Sequence, residues 1–362
     1  MTIAHVVDSL EVGGAEMLVA SLCRLHRKAG HGPVVHCLFQ GGSLAGPLQY
    51  DGFSVHVYGH APGWKLALNL YRCFRRMRPD VVHCHNAMAT VLGAPQARLA
   101  GVRAILSTRH GLAISDQSAS GEIKFRLAMR CCDRVVAVCD KAKENLVIGA
   151  PWAGERIVTL RNGCTPAPTV APNGEIIRKW PFTLVHVARL MWKKDQGTLL
   201  RALALAIPQI PDLGLWIVGD GPDRPALELL ASELKLGDKV RFLGERNDVG
   251  RWLRLADVFV LSSISEGTPL SLLEAMEAKL PQIVTDVGGM PEIIRLSGAG
   301  RVVPRGNPDA LAAAIVEYAS QRALLPALGR RAQSSYERYF TADRMASDYL
   351  QLYSECLRLR GD

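Results

Sequence analysis

Residues 262 to 276 read Ser262-Ser263-Ile264-Ser265-Glu266-Gly267-Thr268-Pro269-Leu270-Ser271-Leu272-Leu273-Glu274-Ala275-Met276. Two carboxylates, Glu266 and Glu274, lie on either side of Gly267-Thr268-Pro269, and that tripeptide has the chemistry of a helix start. Thr268 can serve as N-cap, and Pro269 suits the first helical position because it has no N–H to leave unpaired. Leu270 to Ala278 then carries an apolar helical pattern. Glu266 is expected on the loop before this helix and Glu274 inside its second turn. Amides from Gly267 through Thr268 to Leu270 would point out of the helix start with partial positive charge, which suits phosphate. Carboxylates on both sides of such a start suit a ligand with hydroxyls on both sides of a diphosphate, and a nucleotide-sugar has that layout. The bland alternative is a pair of solvated helix-end charges. It fits Glu274 poorly, because an unpaired charge in an apolar run is costly.

Working outward, the second half alternates strand and helix. Strands are expected at Thr183–Arg189, Leu213–Val218, Lys239–Leu243, Asp257–Ser262 and Gln282–Thr285, with helices between them, two more from Asn307 and a last one over about Thr341–Arg360. The first half alternates too. Its strand-like runs are Thr2–Leu10, Val34–Phe39, Phe53–Tyr58, Asp80–Asn86, Arg103–Thr108, Asp133–Cys139 and Arg156–Leu160. Asn162 to Pro181 is rich in proline and glycine and reads as a linker. Strands separated by helices imply parallel sheets with helices on both faces. The expected fold is α/β: an N-terminal domain at 1–168, a C-terminal domain at 169–340 and a final helix at 341–362. Both domains would be doubly wound and Rossmann-like, facing a central cleft, with ligands beyond the carboxyl ends of the strands.

The chain has 362 residues, 48% hydrophobic and 21% charged, which is ordinary globular composition. No apolar run reaches the roughly 18 residues that span a bilayer, and Met1–Leu10 lacks the basic and apolar regions of a secretory signal. Nine scattered cysteines without a CxxC pair suggest free, reduced thiols in a cytoplasmic protein. Residues 1–168 hold 19 Lys+Arg against 11 Asp+Glu, net +8, whereas residues 169–362 are net +1. A basic first half, with amphipathic basic helices at Trp64–Arg78 and Glu122–Arg134, fits an anionic membrane surface or solvated helix faces equally. Nucleic acid is not indicated, because no recognisable module or aromatic–basic interleaving is present.

Arg189 and Lys194, at a strand's carboxyl end before a helix, could clamp a diphosphate and do a metal's work on the leaving group; alone they would equally be a solvated basic turn. Gly13-Gly14 after the first strand permits close backbone approach to phosphate, a weak signal by itself. Gly219-Asp220-Gly221-Pro222 follows a strand but lacks a third glycine, and reads as a strand-end turn. His110 follows Ser107-Thr108-Arg109 on a cleft-facing loop, where a lone histidine is as readily structural. His83-Cys84-His85 resembles a metal motif, but the sequence supplies nothing to complete a ligand set, so no metal site is assigned.

Taken together, these pieces resemble glycosyltransferase family 4, retaining enzymes of the GT-B fold. The resemblance rests on Gly13-Gly14-Ala15-Glu16, Thr108-Arg109-His110-Gly111, Asn162-Gly163, Val187-Ala188-Arg189-Leu190 with Lys194, Val218 to Pro222, Phe242-Leu243-Gly244, the Glu266 and Glu274 pair, and Thr285-Asp286-Val287-Gly288-Gly289. It covers nearly the whole length. It implies that Glu266 contacts donor-sugar hydroxyls, that Glu274 accepts from the ribose, and that Arg189 and Lys194 hold the diphosphate. Gly14 would let its loop close over the phosphates, and His110 would contact the sugar. Asn162, Gly219, Gly221, Gly267, Thr268, Pro269 and Leu270 join the donor site. The implied chemistry is a same-face transfer without metal or cofactor, in which the departing phosphate helps deprotonate the acceptor. Two departures stand out: Cys139 where serine is usual, and Lys194-Asp195 in place of Lys-Gly.

The expected activity is hexosyl transfer from a UDP- or GDP-linked sugar to a glycan or lipid-linked acceptor in cell-envelope or exopolysaccharide synthesis. The implied location is the cytoplasm, with the basic half at the inner face of the plasma membrane and residues 111–121 as an acceptor loop. Other enzymes of this fold, a phosphorylase or a nucleotide-sugar epimerase, are the first alternative. A non-catalytic nucleotide-sugar-binding protein is the second.

Overall fold

In the computed structural model the described residues are 1–11, 13–111, 119–167 and 178–359, with Ala119 described by its backbone alone. Most of the expected acceptor loop and half of the linker therefore lie outside the described residues. The chain divides into two units, 1–163 with 342–362, and 164–341.

The first unit carries a parallel sheet of β1 (Thr2–Val7), β2 (Gly32–Cys37), β3 (Ser54–Val57), β4 (Val81–His85), β5 (Ala104–Arg109), β6 (Arg134–Ala137) and β7 (Ile157–Thr159), in the order β3-β2-β1-β4-β5-β6-β7. The order reverses direction between β1 and β4, the switch point where doubly wound sheets open a crevice. These strands read as continuous apolar runs because helices cover both faces. The helix Gly14–Lys28 starts where the glycine pair predicts, with Gly13 as N-cap. The helix Ala342–Arg358 buries Met345, Ala346, Tyr349, Leu352, Tyr353 and Cys356 at helical spacing. They pack with Leu18, Leu22, Val81 and Leu106, so the C-terminal helix completes the first unit's core.

The second unit repeats the plan with β8 (Phe182–Val187), β9 (Leu213–Val218), β10 (Val240–Phe242), β11 (Val258–Leu261), β12 (Gln282–Thr285) and β13 (Gly300–Val303), ordered β10-β9-β8-β11-β12-β13. Strand β13 escapes the sequence reading. It is a four-residue edge strand with Arg301 and Val302 exposed, so it shows no apolar run. The chain passes between units at Gly163 and Cys164 rather than at residue 168. Cys164 belongs to the second unit through a bridge to Thr341 and a bond from its amide to the Phe340 carbonyl (3.0 Å).

All nine cysteines are free thiols, seven of them buried. Cys139 shows what replaces the usual serine: it caps the helix Asp140–Gly149, its sulfur accepting the Ala142 amide at 3.4 Å. Among the described residues no helix is long and apolar enough to cross a membrane.

Candidate active site

The quoted stretch lies beyond β11, and Lys194 lies beyond β8, its neighbour at the second unit's switch point. Lys194 Nζ meets Glu266 Oε1 at 2.5 Å, and the Ser263 hydroxyl donates to the same oxygen at 2.7 Å. The Glu266 side chain is 9% exposed and the Lys194 side chain 21%. Glu266 Oε2 makes no hydrogen bond to another described residue, so one carboxylate oxygen is held and the other is uncommitted. Two backbone ties fix the loops: the Ser262 hydroxyl donates to the Lys194 carbonyl (3.0 Å), and the Ile264 amide donates to the Lys193 carbonyl (2.8 Å). Lys194 is thus engaged with Glu266, which the sequence does not reveal. Ser263 is a further site residue, visible only as one of two serines beside the acidic turn.

Thr285 and Gly288 hold this loop from β12. The Thr285 hydroxyl donates to the Ser263 carbonyl (2.5 Å), and the Gly289 amide donates to the Gly267 carbonyl (2.8 Å). Gly288 has φ +57°, and a Cβ there would fall 1.9 Å from the Glu266 carbonyl oxygen. No other residue fits, because both the backbone conformation and the space exclude a side chain.

The helix starts one residue later than its cap chemistry predicts. It spans Leu270–Glu277, with Pro269 at the N-cap position in an extended conformation (φ −71°, ψ 127°). Proline tolerates that position because its fixed φ suits an extended residue and it contributes no orphan N–H. The free first-turn amides are accordingly those from Leu270 onward, whereas the Gly267 and Thr268 positions belong to the loop. Glu274 lies in the second turn. Desolvation, and then the charge of Glu277, push its carboxyl up to about 7. It is a partly exposed acid in an apolar setting, and its carboxyl makes no hydrogen bond to another described residue.

Arg189 lies two residues past the end of β8 and is exposed. Its guanidinium has no ion pair among the described residues, but its backbone is well held. Gln196 Nε2 donates to the Arg189 carbonyl (3.1 Å) and meets His186 Nε2 (3.2 Å), while His186 Nδ1 donates to the Val260 carbonyl (2.9 Å). Gly219 and Gly221 buttress the same turn. A Cβ at either would fall within 2.1–2.2 Å of the Ala188 and Leu190 carbonyl oxygens respectively. Their place is therefore beneath Arg189. Asp195, the departure from Lys-Gly, keeps the glycine-like φ of +47° and offsets the strain by capping the helix Gln196–Ala206. Its carboxylate accepts the Thr198 amide (3.2 Å) and hydroxyl (2.7 Å).

In the first unit, Gly13 and Gly14 open their helix, but the Glu16 carboxylate folds back over the start. Glu16 Oε2 lies 2.4 Å from the place of a Gly13 Cβ. Burial raises the Glu16 carboxyl, and burial with the Glu16 charge opposing the Ala89 backbone bond lifts Asp8 to about 6. Asp8 Oδ1 is buried without a hydrogen-bond partner among the described residues. This end of β1 is acidic, and no sequence motif points to Asp8. Asn162 is buried and belongs to the first unit, one residue before its boundary at Gly163.

His110 follows β5. Its Nε2 meets His85 Nδ1 at 3.1 Å, its amide donates to Asn86 Oδ1 at 3.2 Å, and burial lowers its pKa to about 4. His83 and His85 do acquire a third neighbour, contrary to the sequence expectation. His5 lies opposite His83 across the β1–β4 pairing, and the three rings can each bring one nitrogen within 4.8 Å of the others. Adjacency of β1 and β4 is created by the crossover, so no local spacing announces it.

Two family descriptions match: Glycosyltransferase Family 4 over residues 12–167, and Glycosyl transferases group 1 over residues 172–335. A putative glycosyltransferase of Bacillus subtilis, EpsD, is 34% identical over 295 residues, 76% of each chain. An Escherichia coli UDP-Gal:alpha-D-GlcNAc-diphosphoundecaprenol alpha-1,3-galactosyltransferase is 28% identical over 277 residues, 72% of this chain and 71% of its own. The crystal structure of Anabaena HepE in complex with UDP superposes with a TM-score of 0.84 at 19% identity, covering 98% of this chain and all of that one, a likeness of fold.

Proposed function

Because the chain belongs to glycosyltransferase family 4, we propose that it is a retaining hexosyltransferase that moves a hexose from a UDP- or GDP-linked donor to a glycan or lipid-linked acceptor in cell-envelope or exopolysaccharide synthesis. The observation that carries this reading is the Lys194–Glu266 pair with its uncommitted Glu266 Oε2, on the same switch point as the exposed Arg189. Glu266 Oε2 accepts donor-sugar hydroxyls, and Glu274 accepts from the ribose. The bond from C1 to the diphosphate oxygen breaks with its electron pair on that oxygen, and Arg189 and Lys194 stabilise the charge. The acceptor oxygen then bonds to C1 on the same face and passes its proton to the departing phosphate. His110 contacts the sugar, with its backbone carbonyl toward the developing cation. The two side-chain cations fill the place a metal would take, and the nucleotide-sugar is a substrate, so this reading assigns no cofactor.

The E. coli relative's name gives a UDP-galactose donor and an acceptor on diphosphoundecaprenol. Chemistry of that kind would bring the protein to the inner face of the plasma membrane. Helix Gly63–Met77 supports such a contact: Trp64 (66% exposed) and Leu68 share its outer face with Lys65, Arg72, Arg75 and Arg76. Ile123 and Leu127 are likewise exposed on Ala119–Ala128. Co-sedimentation with liposomes is expected to require anionic lipid, to fade at high salt and to weaken in Trp64→Ala. Equal binding to neutral vesicles would refute the contact.

The donor is tested by thermal shift with free nucleotides and nucleotide-sugars, without added metal. A ligand at 100 times its Kd stabilises the native state by about 2.7 kcal/mol, so the correct base and sugar should raise Tm clearly. No shift with any of them, followed by one with a sugar phosphate, would replace this reading with a phosphorylase. Binding without release of UDP or GDP in the presence of acceptor extracts would point to a non-catalytic binder.

A further inference from the structure

We propose that His85 and His5 are positioning residues for His110, forming with it one hydrogen-bonded chain that presents the His110 ring in a single tautomer. His5 Nδ1 meets His85 Nε2 at 3.1 Å, and His85 Nδ1 meets His110 Nε2 at 3.1 Å. A neutral imidazole has one N–H and one lone pair. Each interior contact therefore needs one donor and one acceptor, and fixing one ring fixes all three. Either every ring carries its proton on Nδ1 or every ring carries it on Nε2. The two ends of the chain, His5 Nε2 and His110 Nδ1, have no hydrogen-bond partner among the described residues. Both end nitrogens are themselves buried, so His110 Nδ1 faces the protein interior, and whether it carries the proton is coupled to the two rings behind it.

The backbone is tied just as closely. The His110 amide donates to Asn86 Oδ1, and Asn86 has φ +69°, a left-handed conformation that costs a non-glycine residue energy and collects at functional turns. The Thr90 hydroxyl donates to the Asn86 carbonyl (2.6 Å) and meets the Ser107 hydroxyl (2.7 Å). One turn at the β1–β4 switch point therefore holds His110 by both ring and backbone.

A metal site is the competing use of these rings, and His83 speaks against it. Its Nδ1 meets the Tyr353 hydroxyl and its Nε2 the Thr108 hydroxyl, each at 2.7 Å, and Thr108 is bonded in turn to Tyr349 (3.0 Å). Both nitrogens of the required third ligand are occupied. The titratable groups facing the array are His26 from the helix Gly14–Lys28, His36 from β2, His83, Tyr349 and Tyr353. None is a carboxylate that would stabilise a protonated imidazole. Burial holds His5 and His110 near 3 and 4 and His85 well below its ordinary range, which agrees with a neutral chain.

The catalytic consequence rests on the reading that His110 meets the donor sugar; the chain itself does not. The test uses full-length protein labelled with 15N in its histidine rings. Long-range proton–nitrogen spectra distinguish protonated from bare ring nitrogens, and the His110 signals are identified by their loss in His110→Asn. Wild-type protein should show one neutral His110 tautomer with no titration down to pH 5.5. His85→Leu should give a tautomer mixture at His110 and raise its titration midpoint by at least one pH unit, while His85→Gln, which retains a donor and an acceptor, should restore the single form. His5→Leu reads the chain from its far end if His85→Leu does not fold. A His110 that titrates near 6.5 in wild-type protein, or keeps its tautomer in both leucine variants, overturns the proposal. So does added Co2+ giving a visible absorption that disappears in His85→Leu, which would make the rings a metal site. A separate assay of UDP release from UDP-glucose should show at least a tenfold loss of kcat in His85→Leu. An intact chain by NMR with unchanged kcat would refute His110's role at the sugar and leave the chain standing.

Discussion

Replacing Lys194 by methionine is expected to lower turnover by about 10²–10³-fold and to destabilise the second unit at the same time. The kinetic loss has the magnitude seen when one group stabilising transition-state charge is removed. The structural loss follows from Glu266. Its side chain is 9% exposed, and among the described residues Lys194 is its one cationic partner, so the variant leaves a nearly buried carboxylate that, of those residues, only the Ser263 hydroxyl supports. Breaking such a pair from one side costs about 3 kcal/mol. Adding Glu266→Gln removes the stranded charge, and the double variant should recover most of the lost stability with none of the lost activity. Arg189→Ala supplies the contrast. Arg189 is exposed and its guanidinium is unpaired among the described residues, so its loss should leave the unfolding free energy within about 0.5 kcal/mol of wild type while turnover falls as far as in Lys194→Met. Denaturation midpoints and rates of nucleotide release separate these outcomes. Wild-type turnover in both single variants would remove the diphosphate clamp from the mechanism. Failure of the double variant to regain stability would show that the pair matters through packing rather than charge.

What the sequence discloses here is mostly what lies close together along it. Leu213–Val218 and Gln282–Thr285 are read at their observed bounds because a strand covered on both faces is an uninterrupted apolar run. The Gly13-Gly14 helix start is equally local. Pairings made by crossovers are different. Lys194 and Glu266 are 72 positions apart, and His5 and His85 are 80 apart, and both pairs meet only because β8 adjoins β11 and β1 adjoins β4. Resemblance supplied the first pair's residues without their mutual contact, and no motif supplied His5 or Ser263. The turn glycines carry a subtler lesson. Gly219 and Gly221 read as a strand-end turn from their position after a strand, and the space they leave is filled by the Ala188 and Leu190 carbonyls, so they shape the turn that carries Arg189, a long-range fit that no local spacing announces.

Glu274 should set function against stability in a way that pH exposes. Its carboxyl is raised to about 7 by desolvation and by Glu277, which means the folded protein disfavours the ionised form. Its contribution to stability is complete below the ordinary carboxyl range near pH 4 and is lost as pH rises through 7. The full effect is at most roughly 3 kcal/mol at high pH, less whatever water at this partly exposed group screens. Glu274→Gln does not ionise, so its Tm should match wild type near pH 5 and exceed it by several degrees, about 5 °C, at pH 8. Nucleotide binding should move the other way. Ribose hydroxyls donate best to the ionised carboxylate, so wild-type affinity should climb with pH and level off above about 7, while the glutamine variant binds more weakly by about 1.5–3 kcal/mol at pH 8 and loses the pH dependence. Calorimetric titration with UDP and with GDP, paired with melting curves at each pH, reads both arms. A glutamine variant that is stabler at pH 8 yet binds nucleotide as wild type does would leave Glu274 a misplaced acid with no part in the ribose site. A variant destabilised at every pH would mean that the carboxyl is held by contacts its raised pKa does not reflect.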